Sequence, residues 1–432
     1  MAAEHEEVLT PLADVQRVVL ERCTPLSPVE VRLDDALGLV LADAVTAPED
    51  VPPFANTAMD GYAVRAEDTA EAPVELDVVG ILAAGAAPLV AIRSGQAVQI
   101  MTGAPMPDGA DAVAIVERTE TVDPREGVRR AAGRVRVLDH VEPGKHVRSA
   151  GSDIRAGSTV AAVGTLLTPE HIGTIASTGA AFVRAHPRPR VGVMATGDEL
   201  VDVGDTRLAP GRIRDSNRHA LLARLRADGF AAVDLGIVPD QEDPMTEAVE
   251  RAVATCDAVL TTGGVSMGEF DFVKIVLDKL ASGTSGAGES RRLSVAIRPG
   301  KPLSLAFLPG PGSGRVAVFG LPGNPVSSLV SYLVIARPGL RALGGCRAEP
   351  PVRVPAVAGE ALGRRAGDGK LHLPRVRVDW GPDGRLVARS AGGQLSHQLG
   401  TMAAANALAL LPDGPGVDPG DRVEVILFGP IS

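Results

Sequence analysis

Residues 188–200 read RPRVGVMATGDEL, an apolar run that ends in a turn containing glycine. The run is short and rich in valine, which is typical of a buried β-strand. The next segment, SNRHALLARLRADG (216–229), has a polar start, an apolar helical face and a terminal glycine, so it predicts a helix. FAAVDLGIVPD (230–240) then has the pattern of a second strand.

The same alternation continues along the chain. DPMTEAVERAVATC (243–256) predicts a helix, DAVLTTGG (257–264) a strand that enters a glycine turn, and VAVFGLPGNP (316–325) a further strand before the helical SSLVSYLVIA (327–336). Strands that alternate with helices are joined by right-handed crossovers. The section from 188 to about 340 therefore predicts a doubly wound α/β domain with a parallel sheet.

The flanking sections have a different pattern. Residues 10–25 have helical spacing, and residues 57–145 contain short apolar runs broken by Gly and Pro, which predict a small, mostly β domain. Residues 146–186 resume helical character, notably in TPEHIGTIASTGA (168–180). Short alternating stretches over about 346–432 predict a separate β-barrel-like domain.

Composition limits the class of protein. A chain of 432 residues predicts two to four domains, and a net charge of −10 argues against a general nucleic-acid binder, which needs a basic face. The three cysteines are isolated and favour a reducing compartment. The N-terminus lacks a signal-peptide core and no apolar run is long enough to span a membrane, so we expect a cytoplasmic protein.

Unusual sequence follows four strands of the predicted sheet: TGDEL (196–200), PDQED (239–243), TTGGVSMGEFD (261–271) and GLPGNPVSS (320–328). In an open α/β sheet, ligands bind outside the carboxyl ends of the strands, near a switch in strand order. We therefore expect these four loops to meet at one edge and to form the site.

Two of these loops are rich in small residues, and their backbone N–H groups can approach an anion closely. Ser327 and Ser328 are predicted to open a helix whose N-terminus favours a phosphate. The alternative is that the glycines serve only tight turns. Glu199, Asp240 and Asp271 add carboxylates that suit Mg²⁺, although Asp240 could instead be a helix N-cap.

Further polar residues lie in other turns. RPGKP (298–302) supplies Arg298 and Lys301, cations that suit an oxyanion, or else form a solvent-facing turn. NTAMDGYAV (56–64) and IMTGAPMP (100–107) contribute Asp60 and Thr102. The sequence contains no Ser–His–Asp signature, no GxxxxGK[ST] phosphate loop and no histidine spacing typical of metal ligands.

Taken together, FANTAMDGYAV, IMTGAP, TGDEL, a PGxIxDSN pattern at 210–217, TTGGVSMGEFD, RPGKP and GLPGNPVSS occur in the order of the MoeA/gephyrin family, which the chain resembles over essentially its whole length. The resemblance implies four domains. An elongated discontinuous domain I covers 1–56 and 146–186, and a β-rich domain II covers 57–145. A MogA-like α/β domain III covers 187–345, and a C-terminal β-barrel domain IV covers 346–432.

The resemblance also implies roles for individual residues. Glu199, Asp240 and Asp271 match the positions associated with Mg²⁺ and catalysis. The positions associated with substrate or molybdate are matched by Asp60, Thr102, Arg148, Ser266, Arg298, Pro299, Lys301, Arg375 and Ser396. Asp60 and Thr102 correspond to residues that family members contribute across a homodimer interface, so the site is expected to be shared between subunits.

The chain departs from the family pattern at several positions. Ser294 stands where a lysine is common, four residues before Arg298. The absence of that lysine weakens the expected oxyanion site. Ala55 and Thr57 replace the usual Asp and Ser. Lys370 and His372 stand where the family tends to have Arg and an acid.

The implied activity is molybdenum cofactor biosynthesis: a molybdate insertase that takes adenylylated molybdopterin and molybdate, depends on Mg²⁺ and releases AMP. Two alternatives belong to the same resemblance. One is the adenylyltransferase reaction, catalysed in other proteins by an enzyme that resembles the α/β domain alone and that is also a candidate partner. The other is a non-catalytic scaffold like gephyrin, which is associated with a longer chain. Tungstate as the inserted oxyanion also stays open.

Overall fold

The computed structural model of the protein describes residues 8–88, 90–122, 133–205, 207–264, 272–283, 288–311, 314–363 and 367–431. The chain divides into two compact units. One contains Met1–Val29, Gly38–Ala42 and Ala185–Ser432, and the other contains Glu30–Leu37 and Asp43–Arg184. This division does not test the four-domain boundaries, which stay a prediction.

The first unit is built on a six-stranded sheet. Its strands are β1 (Arg190–Thr196), β2 (Ala231–Val238), β3 (Ala258–Thr262), β4 (Glu289–Ser294), β5 (Pro302–Pro309) and β6 (Arg315–Leu321). They lie in the order β2-β1-β3-β6-β5-β4. The predicted strands and their parallel arrangement are confirmed for β1, β2, β3 and β6.

The predicted parallel sheet has one exception, β5, which runs antiparallel to both of its neighbours, β4 and β6. The connection from β4 to β5 has only residues 295–301, and the connection from β5 to β6 is shorter still. Parallel strands need a crossover of a dozen or more residues. LSVAIRPGKPLSLAFL therefore folds back on itself and forms an antiparallel edge.

Helices cover both faces of this sheet. They are α1 (Asn217–Ala227), α2 (Glu242–Thr255), α3 (Phe272–Ser282) and α4 (Pro325–Ser331), and α4 continues through a π-helical segment, Tyr332–Ala336, into Arg337–Leu343. A helix at Leu12–Arg22 precedes them in the chain. In β1, Val191 and Val193 belong to one apolar cluster and Met194 to the other. This alternation is what the pleat of a strand buried on both faces produces.

The C-terminal part of this unit is a closed five-stranded barrel, which confirms the prediction made from the alternating stretches. Its order is Val354–Ala358, Leu386–Ser390, Arg375–Trp380, Ala407–Leu410 and Arg422–Leu427. The interior is filled by Ala, Val and Leu side chains. Period-two alternation of apolar and polar residues places one face of each strand inside such a barrel.

The second unit is mostly β, as predicted. Its six-stranded sheet has the order Ala112–Ile115, Gly61–Val64, Gln96–Ile100, Val74–Leu82, Gly133–Val137 and Thr119–Thr121. The predicted helix within 168–180 is confirmed as Pro169–Ser177. Helical character for 146–186 as a whole is wrong, because Gly- and Pro-punctuated connections leave room only for short strands at Val147–Arg148, Thr159–Ala161 and Phe182–His186.

Short elements complete the described chain. The strands are Val29–Arg32, Val40–Leu41, Val45–Thr46, Asn56–Thr57, Leu200–Val201, Ile213–Arg214, Ile297–Arg298, Leu362–Gly363, Leu371–His372 and Gly416–Val417. The helical turns are Leu33–Asp35, Ala66–Thr69, Val116–Arg118 and Leu399–Ala404. Among the described residues, no helix combines the length and the apolar character that crossing a membrane requires.

Candidate functional site

The four predicted loops meet at the carboxyl ends of the sheet. A cleft of about 760 Å³ is lined by Thr196 and Glu199 after β1, by Asp240 after β2, by Thr262–Gly264 after β3 and by Pro322–Pro325 after β6. Strand β1 lies between β2 and β3, so the chain passes from β1 to one side of it, to β2, and then crosses to its other side, to β3. The cleft is therefore at the switch in strand order, where ligands bind in open α/β sheets.

The glycine turn after β3 packs against the end of β1. Gly263 and Gly264 have φ angles of 103° and 63°, a region that side chains disfavour. A Cβ on Gly263 would lie 2.2 Å from the carbonyl oxygen of Thr196. A Cβ on Gly323 would lie 3.6 Å from Gly263 Cα. The two glycine turns are thus neighbours. Gly263 and Gly264 serve a tight turn, as the alternative stated, and this turn also converges with the turn at Gly323.

Two of the three predicted acids line the cleft. Gly197, with a φ of 149°, leaves room for the Glu199 carboxylate, since a Cβ there would lie 2.6 Å from Glu199 Oε2. The backbone N–H of Asp240 donates to Asp198 Oδ1 at 3.3 Å. The alternative that Asp240 is a helix N-cap is wrong, because Gln241 holds the cap position of α2. Asp271, like Ser266, lies outside the described residues.

The donor set fits a magnesium ion that is completed by a ligand. Over the described ranges, no group of three or more His, Cys, Asp or Glu side chains is arranged to hold a metal. Mg²⁺ usually takes one or two protein carboxylates and completes its shell with waters and substrate phosphates. Glu199 and Asp240, both lining the cleft, meet that requirement.

Ser327 and Ser328 do not open the helix as predicted. Helix α4 begins at Pro325 with Asn324 in the cap position, so the serines lie within its first turn. Both are buried, and the Ser328 hydroxyl is 3.5 Å from Thr262 Oγ1. Asn324 and Pro325 line the cleft instead.

The predicted cation Arg298 belongs to a second cluster of charges. Its Nη1 lies 3.6 Å from Asp368 Oδ2, and the same oxygen is 2.8 Å from His372 Nε2 and 4.0 Å from Lys370 Nζ. A parallel pairing of Ile297–Arg298 with Leu371–His372 brings them together. Two positions that depart from the family pattern, Lys370 and His372, are thus placed beside Arg298.

Asp368 is the shared anion of this cluster. Burial acts to raise the pKa of its carboxyl, but the hydrogen bond with His372 and the charges of His372 and Lys370 outweigh burial and lower the pKa to about 2. The Arg298 side chain remains 62% exposed, so the solvent-facing-turn alternative describes its exposure correctly. Pro299 follows it through a cis peptide bond, and the carbonyl of Lys301 accepts the N–H of Val295.

Arg375 is placed differently from the expectation of an oxyanion contact. Its side chain is fully buried beneath the loop at 393–395, where its guanidinium donates to the carbonyl oxygens of Gln394, Gly393 and Leu395. It is not among the residues that line the cleft. The loop that it holds continues into Ser396, whose carbonyl accepts the N–H of Val326 at 3.1 Å.

The predicted residues of the second unit also come together. The backbone N–H and the hydroxyl of Thr102 both donate to Asp60 Oδ1, at 2.6 and 2.7 Å. These two bonds lower the pKa of the Asp60 carboxyl. Arg148 pairs with Asn56 across two short strands. The local pair of Asp60 and Thr102 is therefore formed within one unit.

The residues that line the cleft without having been predicted as site residues include two with polar side chains, Asn217 and His397. Asn217 is the last residue of the PGxIxDSN pattern, which was noted without a role, and His397 follows Ser396. The motif was a usable signal for Asn217. No sequence pattern singled out His397.

Three family models match the chain. They are the MoeA N-terminal region (domain I and II) over residues 10–179, a probable molybdopterin binding domain over 192–342 and the MoeA C-terminal region (domain IV) over 360–428. Together these matches span most of the chain.

Several curated relatives are similar over most of both chains. A molybdopterin molybdenumtransferase of Nostoc sp. is 38% identical over 391 residues, 88% of this chain and 84% of the relative. Molybdopterin molybdenumtransferase 2 of Mycobacterium tuberculosis is 38% identical over 408 residues, 92% and 94%. Among solved structures, a molybdopterin biosynthesis MoeA protein of Pyrococcus horikoshii has a TM-score of 0.77 at 29% identity and covers 98% of this chain and 100% of its own.

Proposed function

The chain belongs to the MoeA family of molybdopterin molybdenumtransferases and is a transferase of molybdenum cofactor biosynthesis, and from this we propose that it inserts molybdate into adenylylated molybdopterin with release of AMP. In this reaction the two dithiolene sulfurs bond to molybdenum as molybdate gives up oxygen as water. Hydrolysis of the phosphoric anhydride releases AMP.

The observation that carries this proposal is the cleft at the carboxyl ends of β1, β2, β3 and β6. It combines two adjacent glycine turns with the carboxylates of Glu199 and Asp240. Exposed backbone N–H groups in such turns bind phosphate oxygens. A substrate with a phosphoric anhydride needs such an anion cradle beside groups that can hold a cation.

Glu199 and Asp240 would hold Mg²⁺ together with oxygens of the substrate, and Asp271 is proposed to join them. When bound, the ion offsets the charge of the phosphates and of molybdate, which otherwise repel each other. The carboxylates of this chain hold and orient that charge at the cleft. Because Asp198 accepts the N–H of Asp240, the loop after β2 is tied to the loop after β1.

We propose that Arg298 and Lys301, with Ser266, Pro299 and Ser396, contact the oxyanion. A rigid guanidinium suits a tetrahedral oxyanion. Lys370 and Arg298 both lie near Asp368. Lys370 can therefore supply the positive charge that a lysine at position 294 would otherwise provide. Arg375 is proposed to act on substrate through the loop that it holds, which ends at Ser396.

The assembly that we propose is a homodimer in the cytoplasm, with Asp60, Thr102 and Arg148 of one subunit serving the cleft of the other. The short bonds from Thr102 fix the Asp60 carboxylate in one orientation within its own unit. A molybdopterin adenylyltransferase is the proposed source of the adenylylated substrate.

The test is AMP release from adenylylated molybdopterin by the purified full chain with Mg²⁺, with and without molybdate. We expect release that depends on molybdate and is accompanied by formation of active cofactor. Consumption of ATP with unadenylylated molybdopterin would instead identify an adenylyltransferase. Binding of adenylylated molybdopterin without any release of AMP would contradict the insertase assignment.

A further inference from the structure

Asn217 joins the two glycine turns of the cleft. It is the first residue of α1, and its side-chain nitrogen donates to Thr262 Oγ1 at 2.8 Å and to the carbonyl oxygen of Gly323 at 2.7 Å. Thr262 ends β3, and Gly323 lies two residues beyond the end of β6. A single amide group thus spans the ends of two adjacent strands.

This link begins where the sheet stops. Strands β3 and β6 are paired up to Thr262 and Leu321, and the N–H of Gly263 makes a last, longer bond of 3.3 Å to the carbonyl of Leu321. Beyond that bond the two turns diverge from the ladder. On its other side, Gly263 packs against the carbonyl of Thr196. The Thr262 hydroxyl still reaches the Pro322 carbonyl at 3.4 Å, and the two shorter bonds of Asn217 add a second tie beyond the ladder.

The residues on either side of Asn217 are fixed by hydrogen bonds and ion pairs. Asp215, which is 1% exposed, accepts both the backbone N–H and the Nε of Arg218, at 3.0 and 2.8 Å. Arg218, 3% exposed at its side chain, also contacts Asp234 and Asp202. The buried pair with Asp215, together with the more exposed Asp202 and Asp234, fixes the start of α1. Ser216, not Asn217, holds the cap position of that helix, so the Asn217 amide is not used for capping.

The geometry points to Asn217 as a positioning residue, a brace that holds the turns at Gly263 and Gly323 at the spacing required by the phosphate-bearing substrate. The inference rests on the proposed function of the cleft. The amide nitrogen of Asn217 carries two N–H donors, and these bond to Thr262 and Gly323. That leaves Asn217 Oδ1, which is buried and has no hydrogen-bond partner among the described residues, as an unused acceptor on a residue that lines the cleft.

The matched control is Asn406, an asparagine with the same kind of bonding elsewhere. Its side-chain nitrogen donates to the carbonyl of Val378, in a barrel strand, at 2.8 Å and to that of Pro430, in the C-terminal segment, at 2.9 Å. Asn217→Ala and Asn406→Ala each remove an amide that joins two backbone segments. Loss of stability alone would affect both variants, whereas loss of a substrate brace would affect only the first.

The first experiment measures amide hydrogen exchange in the peptides that contain Gly263 and Gly323. We expect Asn217→Ala to increase their exchange well beyond the change in Asn406→Ala. The second experiment measures AMP release from adenylylated molybdopterin. Because the turns hold substrate in both the ground and transition states, KM should rise about 10- to 100-fold while kcat changes little. A merely structural role would lower the active fraction and leave KM unchanged.

Thr262→Val and the double variant give a further check if Asn217→Ala folds poorly. Thr262→Val removes one acceptor of the brace together with the bond from the Thr262 hydroxyl to the Pro322 carbonyl. Because the two variants share the Asn217–Thr262 bond, the KM rise of the double variant should be smaller than the product of the two single rises. Unchanged exchange at both turns overturns the brace, whatever the activity. Increased exchange with an unchanged KM overturns its role in substrate positioning. A wild-type chain that releases no AMP contradicts the proposed function alone, since the exchange experiment does not depend on it.

Discussion

A cavity lies at each end of the strands of the central sheet, and the larger cavity is not the one proposed to bind the substrate. At the amino ends, a cavity of about 1040 Å³ is lined by Arg22, Arg190, Asp257 and Arg315 among others. At the carboxyl ends, the cleft measures about 760 Å³. Volume alone would select the wrong end for the chemistry proposed above.

The difference between the two ends is in how their polar groups are used. At the amino ends, Arg22 and Arg315 both contact Glu289, at 2.7 and 3.0 Å, and the N–H of Arg190 donates to Asp257. Buried oxygens without a hydrogen-bond partner in the described chain occur at both ends: Glu289 Oε2, 3.7 Å from Arg291 Nη2, at the amino ends, and Thr196 Oγ1 and Asn217 Oδ1 at the carboxyl ends. Buried polar atoms are normally paired. The amino ends therefore hold arginines that are already engaged by carboxylates, whereas the carboxyl ends hold two neutral side-chain oxygens without a partner in the described chain.

The sharpest way to break this comparison is the same substitution at both ends. Asp240→Asn removes a carboxylate from the cleft and should lower kcat/KM for AMP release by about 10²- to 10⁴-fold, as loss of an acid–base or charge-holding group does. Asp257→Asn at the amino ends should leave it within about twofold. Both variants should keep the thermal midpoint of the wild type within a few degrees. Equal losses in the two variants would remove the distinction between the ends.

A second contrast concerns stability. Arg218 is buried among Asp202, Asp215 and Asp234 near the cleft, and Arg218→Met would leave the fully buried Asp215 without its cation. Breaking a buried pair in this way costs about 3–5 kcal/mol of unfolding free energy. Arg315→Met at the amino ends, whose side chain is 40% exposed, should cost about 1 kcal/mol or less. Urea unfolding of the two variants measures both, and a similar cost for each would contradict the difference in burial.

The third contrast separates backbone strain from crowding in the turn. Gly263→Ala would press a methyl group against the Thr196 carbonyl, so the turn must shift and the affinity for adenylylated molybdopterin should fall about 10²-fold. Gly229, with a φ of 86°, has open space around its Cβ position. Gly229→Ala therefore carries a similar backbone cost of about 1–2 kcal/mol with no change in KM. A normal KM in Gly263→Ala would show that the turn can move without affecting the substrate.

Much of the fold followed from local patterns. A short valine-rich run predicted β1 as a strand buried on both faces. In the structure, Val191 and Val193 pack in one core and Met194 in the other. The carboxyl-end convergence followed from topology, since parallel strands end at one edge. The antiparallel β4 and β5 were missed because apolar character predicts a strand but not its direction, which the short 295–301 connection decides.

The site was less predictable because its key contacts are distant in sequence. The partners of Asn217 lie 45 and 106 residues away, so its motif could be noted without a role. The burial of Arg375 beneath the loop at 393–395 was also missed, because an arginine in an alternating strand normally faces solvent. The grouping of Arg298 with Lys370 depends on a two-residue strand pairing that no local pattern signals.

The smallest expected effect concerns Asp368. Like Glu289 at the amino ends, Asp368 is a carboxylate that contacts more than one basic side chain. Its pKa in the folded chain is about 2, below its ordinary value of 3.8. A carboxyl whose pKa is lowered by folding contributes stability above its ordinary pKa, and that contribution is lost as the pH falls through the folded value. The wild type should therefore lose more stability between pH 5 and about pH 2 than Asp368→Asn does. Urea midpoints measured over this window for both proteins test the difference, and parallel curves would mean that Asp368 gains nothing from His372 and Lys370.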